Sequence, residues 1–184
     1  MRLTAFGEGD SRETGIAYRV LSETEAADTM TARLTCRGVT APVGAADAPV
    51  TRRELAAMLL PLADRTLAPA ALADTDDPAC RLIAANGFLK ADKDGRFHPN
   101  DPVPRQQLAT VAMQACGVNY RNASSTMPVC RDVAEVQTNY GTNVARALYF
   151  GFMELEDGAF CPKRETTLAE ACAMLERVAD FAGL

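Results

Sequence analysis

The chain has no tryptophan and a single histidine, His98, among its 184 residues. Aromatic residues make up only 6% of it, so its core has to be assembled from Ala, Leu, Val and Met, a mixture that suits helices. The six cysteines (36, 80, 116, 130, 161 and 172) contain no C-x-x-C pair. The short-spacing zinc signature is therefore missing, and one histidine adds little to a metal case. A basic excess is also lacking: the formal net charge is -5, which argues against nucleic acid as a general partner. No apolar run approaches the roughly 20 residues of a membrane-spanning helix, so membrane insertion is not expected. Met1 to Gly7 breaks into Gly and acid too early for a signal peptide, which leaves two readings: a cytoplasmic protein, or the mature part of a longer secreted one. His98 has no Ser or Cys arranged with it as nucleophile, and no Gly-rich phosphate loop is present. Neither an enzyme nor a cofactor is expected.

What is present is enough apolar residue, 48%, to drive folding. The cysteines are expected to be mainly free, buried thiols, with disulfides as the alternative. The chain also repeats itself. Val50-Thr51-Arg52-Arg53-Glu54-Leu55 returns as Val103-Pro104-Arg105-Gln106-Gln107-Leu108, and more faintly as Thr166-Thr167-Leu168-Ala169-Glu170-Ala171. Each opens an amphipathic stripe at i, i+3, i+4, i+7: Leu55, Met58, Leu59, Leu62; Leu108, Val111, Ala112, Ala115; and Ala171, Met174, Leu175, Val178. Upstream, Gly87-Phe88-Leu89 and Gly151-Phe152-Met153 each end a short helical pattern, as Gly38-Val39 ends a run from Met30 to Arg37. Between the two helices stand Gly95-Arg96-Phe97-His98-Pro99 and Gly158-Ala159-Phe160-Cys161-Pro162, turns around one apolar anchor. The first copy replaces this piece with a shortened link, Pro42-Val43-Gly44-Ala45-Ala46.

Each unit therefore reads as helix, Gly stop, loop with a buried Phe, and capped helix, over about 50–60 residues that cannot bury an apolar face alone. The expected fold class is all-α, with repeats over 26–66, 67–119 and 120–184. Residues 1–25 are a lead-in strand or helix, or the tail of a preceding domain. Phe97 and Phe160 are expected to plug the gap between the two helices of their own copies.

Thr51 with Glu54 and Thr167 with Glu170 have the spacing of capping boxes. That structural role accounts for Thr and Glu but not for Arg52, Arg53 and Arg105, cations placed at the positive end of a helix dipole. An anion is the natural partner there, either an internal carboxylate or an external one that Arg52 or Arg105 shares with the free backbone N–H groups of the same helical turn. Asp92-Lys93-Asp94-Gly95 has Lys90 where a calcium loop requires a ligand, so it reads as a turn. Tyr120, Tyr140 and Tyr149 read as half-buried aromatics rather than sugar platforms.

These features together resemble the S-layer homology domain, whose pattern is an Asp-Val lead, a helix ending in Gly, a Gly-x-Phe-x-Pro turn, and Thr-Arg-Ala-Glu opening the second helix. The lead stands here as Arg131-Asp132-Val133 and, degraded, as Ala73-Asp74-Thr75. The resemblance covers about residues 26–184. It implies three repeats in a pseudo-threefold arrangement, with grooves between neighbours that hold a secondary cell-wall polysaccharide, often pyruvylated. The protein would then be a cell-surface anchor carrying further domains of a longer parent chain. The site residues it implies are Arg52 and Arg105 with Thr51, Glu54, Gln107 and Arg53. Lys163 and Arg164 would substitute in the third copy, where Leu168 stands in place of the motif Arg. At most two good grooves are expected.

Overall fold

The computed structural model describes residues 4–6, 17–19, 38–39, 42, 44–117 and 130–183. The expected helix at Met30–Arg37, Cys36 and Tyr120 lie outside the described residues. Two short antiparallel strands, β1 (Thr4–Phe6) and β2 (Ala17–Arg19), pair Thr4 with Arg19 and Phe6 with Ala17, so the lead-in contributes strand. The rest of the described chain is helical: α1 (Arg52–Leu59), α2 (Pro78–Ala85), α3 (Arg105–Ala115), α4 (Thr138–Tyr149) and α5 (Leu168–Ala182). Short 3-10 turns lie at Leu60–Leu62 and Val133–Glu135.

The ends of these helices follow from local chemistry. Thr51 and Thr167 each form the expected capping box: the Thr oxygen accepts from the N–H of Glu54 or Glu170, and that Glu accepts from the Thr N–H in return. Asp77 caps α2 by accepting from Ala79 N at 2.9 Å and Cys80 N at 3.1 Å, with Pro78 at the first helical position. Gly87 and Gly151 follow α2 and α4 with φ of 75° and 72°, the left-handed turn that lets Phe88 N reach Ile83 O and Phe152 N reach Ala147 O. Leu55, Leu59, Val111, Met174 and Leu175 are all buried, as the shared phase of the stripes predicts.

Packing departs from the expected helix pairs. Among the described elements, α1 packs mainly on α2, and α3 mainly on α4, with a smaller contact to α5. The close pairs therefore join the second helix of one repeat to the first helix of the next. Phe97 and Phe160 are fully buried, but each meets the arginine of the preceding copy, Arg52 or Arg105, rather than only its own two helices.

Backbone hydrogen bonds tie the three helix starts into a closed cycle. Val50 N donates to Thr166 O (2.9 Å), Thr166 N to Val103 O (2.8 Å), and Val103 N to Val50 O (3.0 Å). One step outward, the first helical N–H of each second helix meets a loop carbonyl of the next copy: Arg52 N to Asp101 O, Arg105 N to Arg164 O, and Leu168 N to Ala48 O. The second N–H does the same: Arg53 N to Pro99 O, Gln106 N to Pro162 O, and Ala169 N to Ala46 O. The register is identical in all three, which makes Arg52, Arg105 and Leu168 equivalent positions. Counting eight residues back from each makes Gly44, Phe97 and Phe160 equivalent as well. The first copy thus keeps the full spacing downstream of its anchor position, and its shortening lies upstream, between Gly38 and Gly44.

Candidate functional site

The arginine-bearing helix starts are interlocked with the loops that face them. Arg52 is only 7% exposed. Its Nε donates to Phe97 O at 2.6 Å and its Nη2 to Lys90 O at 2.8 Å, while its guanidinium carbon lies 4.7 Å from the centre of the Phe97 ring. Arg105 repeats the geometry one copy later. It is 3% exposed, with Nε to Phe160 O at 2.8 Å, Nη2 to Glu154 O at 2.9 Å, and the Phe160 ring 5.3 Å away. Each arginine therefore closes the anchor turn of the following repeat, a role the spacing of the motif did not disclose.

A second residue type completes each turn from below. Asp74 accepts from Phe97 N and His98 N, both at 2.7 Å, and Asp132 accepts from Phe160 N at 2.8 Å and Cys161 N at 2.6 Å. These are the lead aspartates of the repeat. They hold His98 and Cys161 at φ of 56° and 53°, in the left-handed region that side-chain-bearing residues occupy only when such partners fix them. The hydrogen bond from Phe97 N–H holds the Asp74 carboxyl below its ordinary pKa, with the His98 N–H and charge acting in the same direction.

The two arginines differ in what surrounds them. The free face of Arg105 meets Glu170, through Nη1, and Glu156 at 3.2 Å. Arg164 binds the same two acids, approaching Glu170 at 2.6 Å, and Arg177 reaches Glu154 at 2.5 Å. Burial alone would raise the Glu170 carboxyl, but Arg164, the Thr167 N–H and Arg105 hold it below its ordinary value. A shallow open cleft of about 150 Å³ runs along these groups, bounded also by Phe152 and Ala173. Around Arg52 the corresponding groups differ: Asp92 keeps the acid of Glu156, because each bonds the residue before its anchor Phe, but its carboxylate meets His98 at 2.8 Å and not the arginine. Lys90 stands where Glu154 does, because both carbonyls accept from the motif arginine; Gln107 takes the register of Glu170, and Asp101 that of Arg164. Among the described residues, no carboxylate comes within ion-pair distance of Arg52. Burial pushes its guanidinium pKa down, and Asp101 and Asp74 act on it only through space.

The remaining expected site residues are dispersed. Thr51 and Glu54 are engaged with each other. Arg53 is half exposed and points to Asp77 at 3.8 Å. Gln107 is partly buried at the third position of α3, and Lys163 is exposed. Arg164 does not substitute for the missing third arginine: it belongs to the Arg105 cluster. At the third helix start, Leu168 faces Gly44, with its Cδ2 3.9 Å from where a Gly44 side chain would begin.

One expectation is overturned outright. An external anion was to share the motif arginine with free backbone N–H groups of the first helical turn, yet the first two N–H groups of each such turn donate to the neighbouring loop and, in α1 and α5, the third donates to the capping Thr. An anion at these helix starts would have to be held by groups other than those amides.

Of the other candidates, Tyr149 is largely exposed rather than half-buried, and Tyr140 is partly buried. The described cysteines, 80, 116, 130, 161 and 172, are free thiols, all but Cys161 buried. Desolvation pushes Cys80 and Cys172 up to about 11, which keeps them protonated and unreactive. No group of acid, His and Cys side chains suited to a metal ion occurs among the described residues, and none of their helices is long and apolar enough to cross a membrane. No protein-family model matches the chain, and none of the curated proteins compared with it matches either.

Proposed function

We propose that this chain is a non-catalytic wall-binding module of the S-layer homology type, which holds an anionic secondary cell-wall polysaccharide at the junction of its first and second repeats. The cyclic bonding of Val50, Val103 and Thr166 supports three repeats around a common axis. The observation that carries the anion reading is the state of Arg52: a nearly buried guanidinium, fixed by two carbonyls, with no carboxylate paired to it among the described residues. A buried cation in that state gains from any carboxylate that reaches its free edge. Lys90, whose carbonyl holds Arg52, adds a second, exposed positive charge at this junction, and Gln107 offers an uncharged donor. A pyruvyl ketal supplies a carboxylate on a sugar, which meets that arrangement without the glycan carrying a phosphate.

In this reading Arg105 is a structural residue, and the number of anion grooves falls from two to one. The protein would act at the bacterial cell surface, with further domains of a longer chain as its cargo. A second reading has its own support: because the helix-start amides are spent on neighbouring loops, the module has the makings of a purely structural scaffold that binds other protein domains. Sedimentation separates the two. The anchor reading expects the protein to pellet with sacculi that still bear their polymer and not with acid-stripped sacculi. Equal recovery in both pellets, or in neither, would remove it.

A further inference from the structure

Arg105 and Arg52 are held alike by their own repeats' neighbours, yet only Arg105 has its outer edge filled. The filling groups are carboxylates: Glu170 on Nη1, and Glu156 at 3.2 Å from the same nitrogen. They come from the two sides of the cleft, Glu170 from the first turn of α5 and Glu156 from the loop after α4. Glu170 does two things at once. Its Oε2 accepts from Thr167 N at 2.9 Å to cap α5, while its Oε1 faces Arg105 and Arg164. At the same register α3 carries Gln107, which is uncharged, and there the facing Arg52 has no acid.

We propose that Glu170, assisted by Glu156, is a built-in carboxylate ligand that occupies the Arg105 junction. A second carboxylate-binding site lies latent beneath it, and these two acids decide that the chain presents one anion site rather than two. Three arginines (105, 164, 177) and three glutamates (154, 156, 170) balance at this junction. An incoming anion would have to displace an acid already placed by its own helix cap. That competitor is covalently attached, so its effective concentration stays high. Removing the charge from Glu170 and Glu156 leaves Arg105 at the cleft, and Arg164 next to it, without their carboxylate partners.

Because Gln also serves at the third position of a capping box, the pair Glu156→Gln/Glu170→Gln removes the charges and keeps the α5 cap. The proposal rests on the carboxylate reading of the Arg52 junction only for its biological meaning, so the test treats the two arginines separately. Arginine Nε–H resonances are followed by NMR as sodium pyruvate replaces sodium chloride at constant ionic strength, with Arg52 and Arg105 assigned by Lys substitution. The double variant should show a saturable Arg105 shift with an affinity at least about tenfold above that of the parent, and an Arg52 response equal to the parent's. An Arg105 response that is the same in both proteins overturns the proposal. So does silence at Arg105 in a double variant that keeps its cooperative melt. Should the double variant not fold, Glu156→Gln alone, at a position outside the cap and 53% exposed, decides: a partial Arg105 shift supports the proposal and none overturns it. Silence at Arg52 in every protein would refute the anion reading of that junction, and it leaves the Arg105 comparison intact.

Discussion

Set beside the two arginine junctions, the third helix start shows what the arginine is for. At Arg52 and Arg105 a large cation spans the gap to a large aromatic, Phe97 or Phe160, and ties its carbonyl. At Leu168 the partner position holds Gly44, and the Leu side chain lies against the space a larger residue would fill. Both members of the pair changed together while the backbone hydrogen bonds stayed in register. The backbone cycle therefore does not need the arginine. What does need it is the Gly-x-Phe-x-Pro turn, whose Phe carbonyl is buried and requires a donor.

The largest effect that can break this comparison is loss of the aromatic. Phe97→Ala and Phe160→Ala should each destabilise by about 3–5 kcal/mol, read as a fall in denaturation midpoint with unchanged slope. Losses under about 1 kcal/mol would show that the rings only cover the arginines and do not anchor the turns.

Next comes the arginine itself. Arg105→Ala leaves Phe160 O and Glu154 O without their donor and strands Glu170 beside a single remaining cation, so it should cost about 3 kcal/mol, in the range for breaking a buried pair. Arg52→Ala frees two carbonyls but no carboxylate and should cost less, about 1–3 kcal/mol. It should also weaken wall-polymer binding about ten- to a hundredfold, measured by calorimetry on the folded fraction. Equal loss of binding on removing either arginine would erase the proposed difference between the junctions.

A smaller effect is expected at the third junction. Leu168→Arg adds a charge where Gly44 supplies neither a ring nor a matching turn, so it should destabilise by about 1–3 kcal/mol and leave polymer affinity unchanged. Gly44→Phe combined with Leu168→Arg should recover part of that loss in a double-mutant cycle, which reports the coupling of the pair directly. A strictly additive pair would mean that the swap at this junction is accidental.

Much of the scaffold was legible in the sequence. The phase of Leu55, Leu59, Val111 and Met174, the capping boxes at Thr51 and Thr167, and the Gly stops at 87 and 151 are local patterns, and local chemistry enforces them. What the motifs could not show is which copy each arginine serves. Arg52 works on Phe97, 45 residues away, and no periodicity within a single repeat encodes a contact to the next one. The misplacement of Arg164 has the same origin: it stands near Leu168 in sequence, but its side chain belongs to the acids of another junction. One signal of these contacts is present in the sequence. The equal spacing from Gly44, Phe97 and Phe160 to their helix starts puts a Phe after each copy that carries the motif arginine, and the Gly after the copy that carries Leu168, taking the three copies as a cycle.

The finest comparison is between the aspartates under the two anchor turns. Asp74 carries its charge against the Phe97 and His98 N–H groups, and the Phe97 hydrogen bond is the leading cause of its lowered pKa. The folded carboxyl thus releases its proton at a lower pH than the unfolded one. Its contribution to stability is fully present above the unfolded value, about pH 4, and is lost as pH falls through the folded value. Asp132 is likewise lowered. Burial opposes the shift at both aspartates; at Asp132 it is the largest single cause, and the Phe160 and Cys161 N–H groups together outweigh it. Asn at either position keeps an oxygen to accept one bond and removes the charge. Asp74→Asn should therefore lower Tm slightly at neutral pH and flatten the acid limb of the Tm–pH profile below about pH 4. Asp132→Asn should flatten it less, because burial outranks each single hydrogen bond there, whereas at Asp74 the Phe97 hydrogen bond outranks burial. An acid limb for Asp74→Asn that runs parallel to that of the parent would show that its hydrogen bonds survive protonation, and that this turn is held by Arg52 and the buried ring alone.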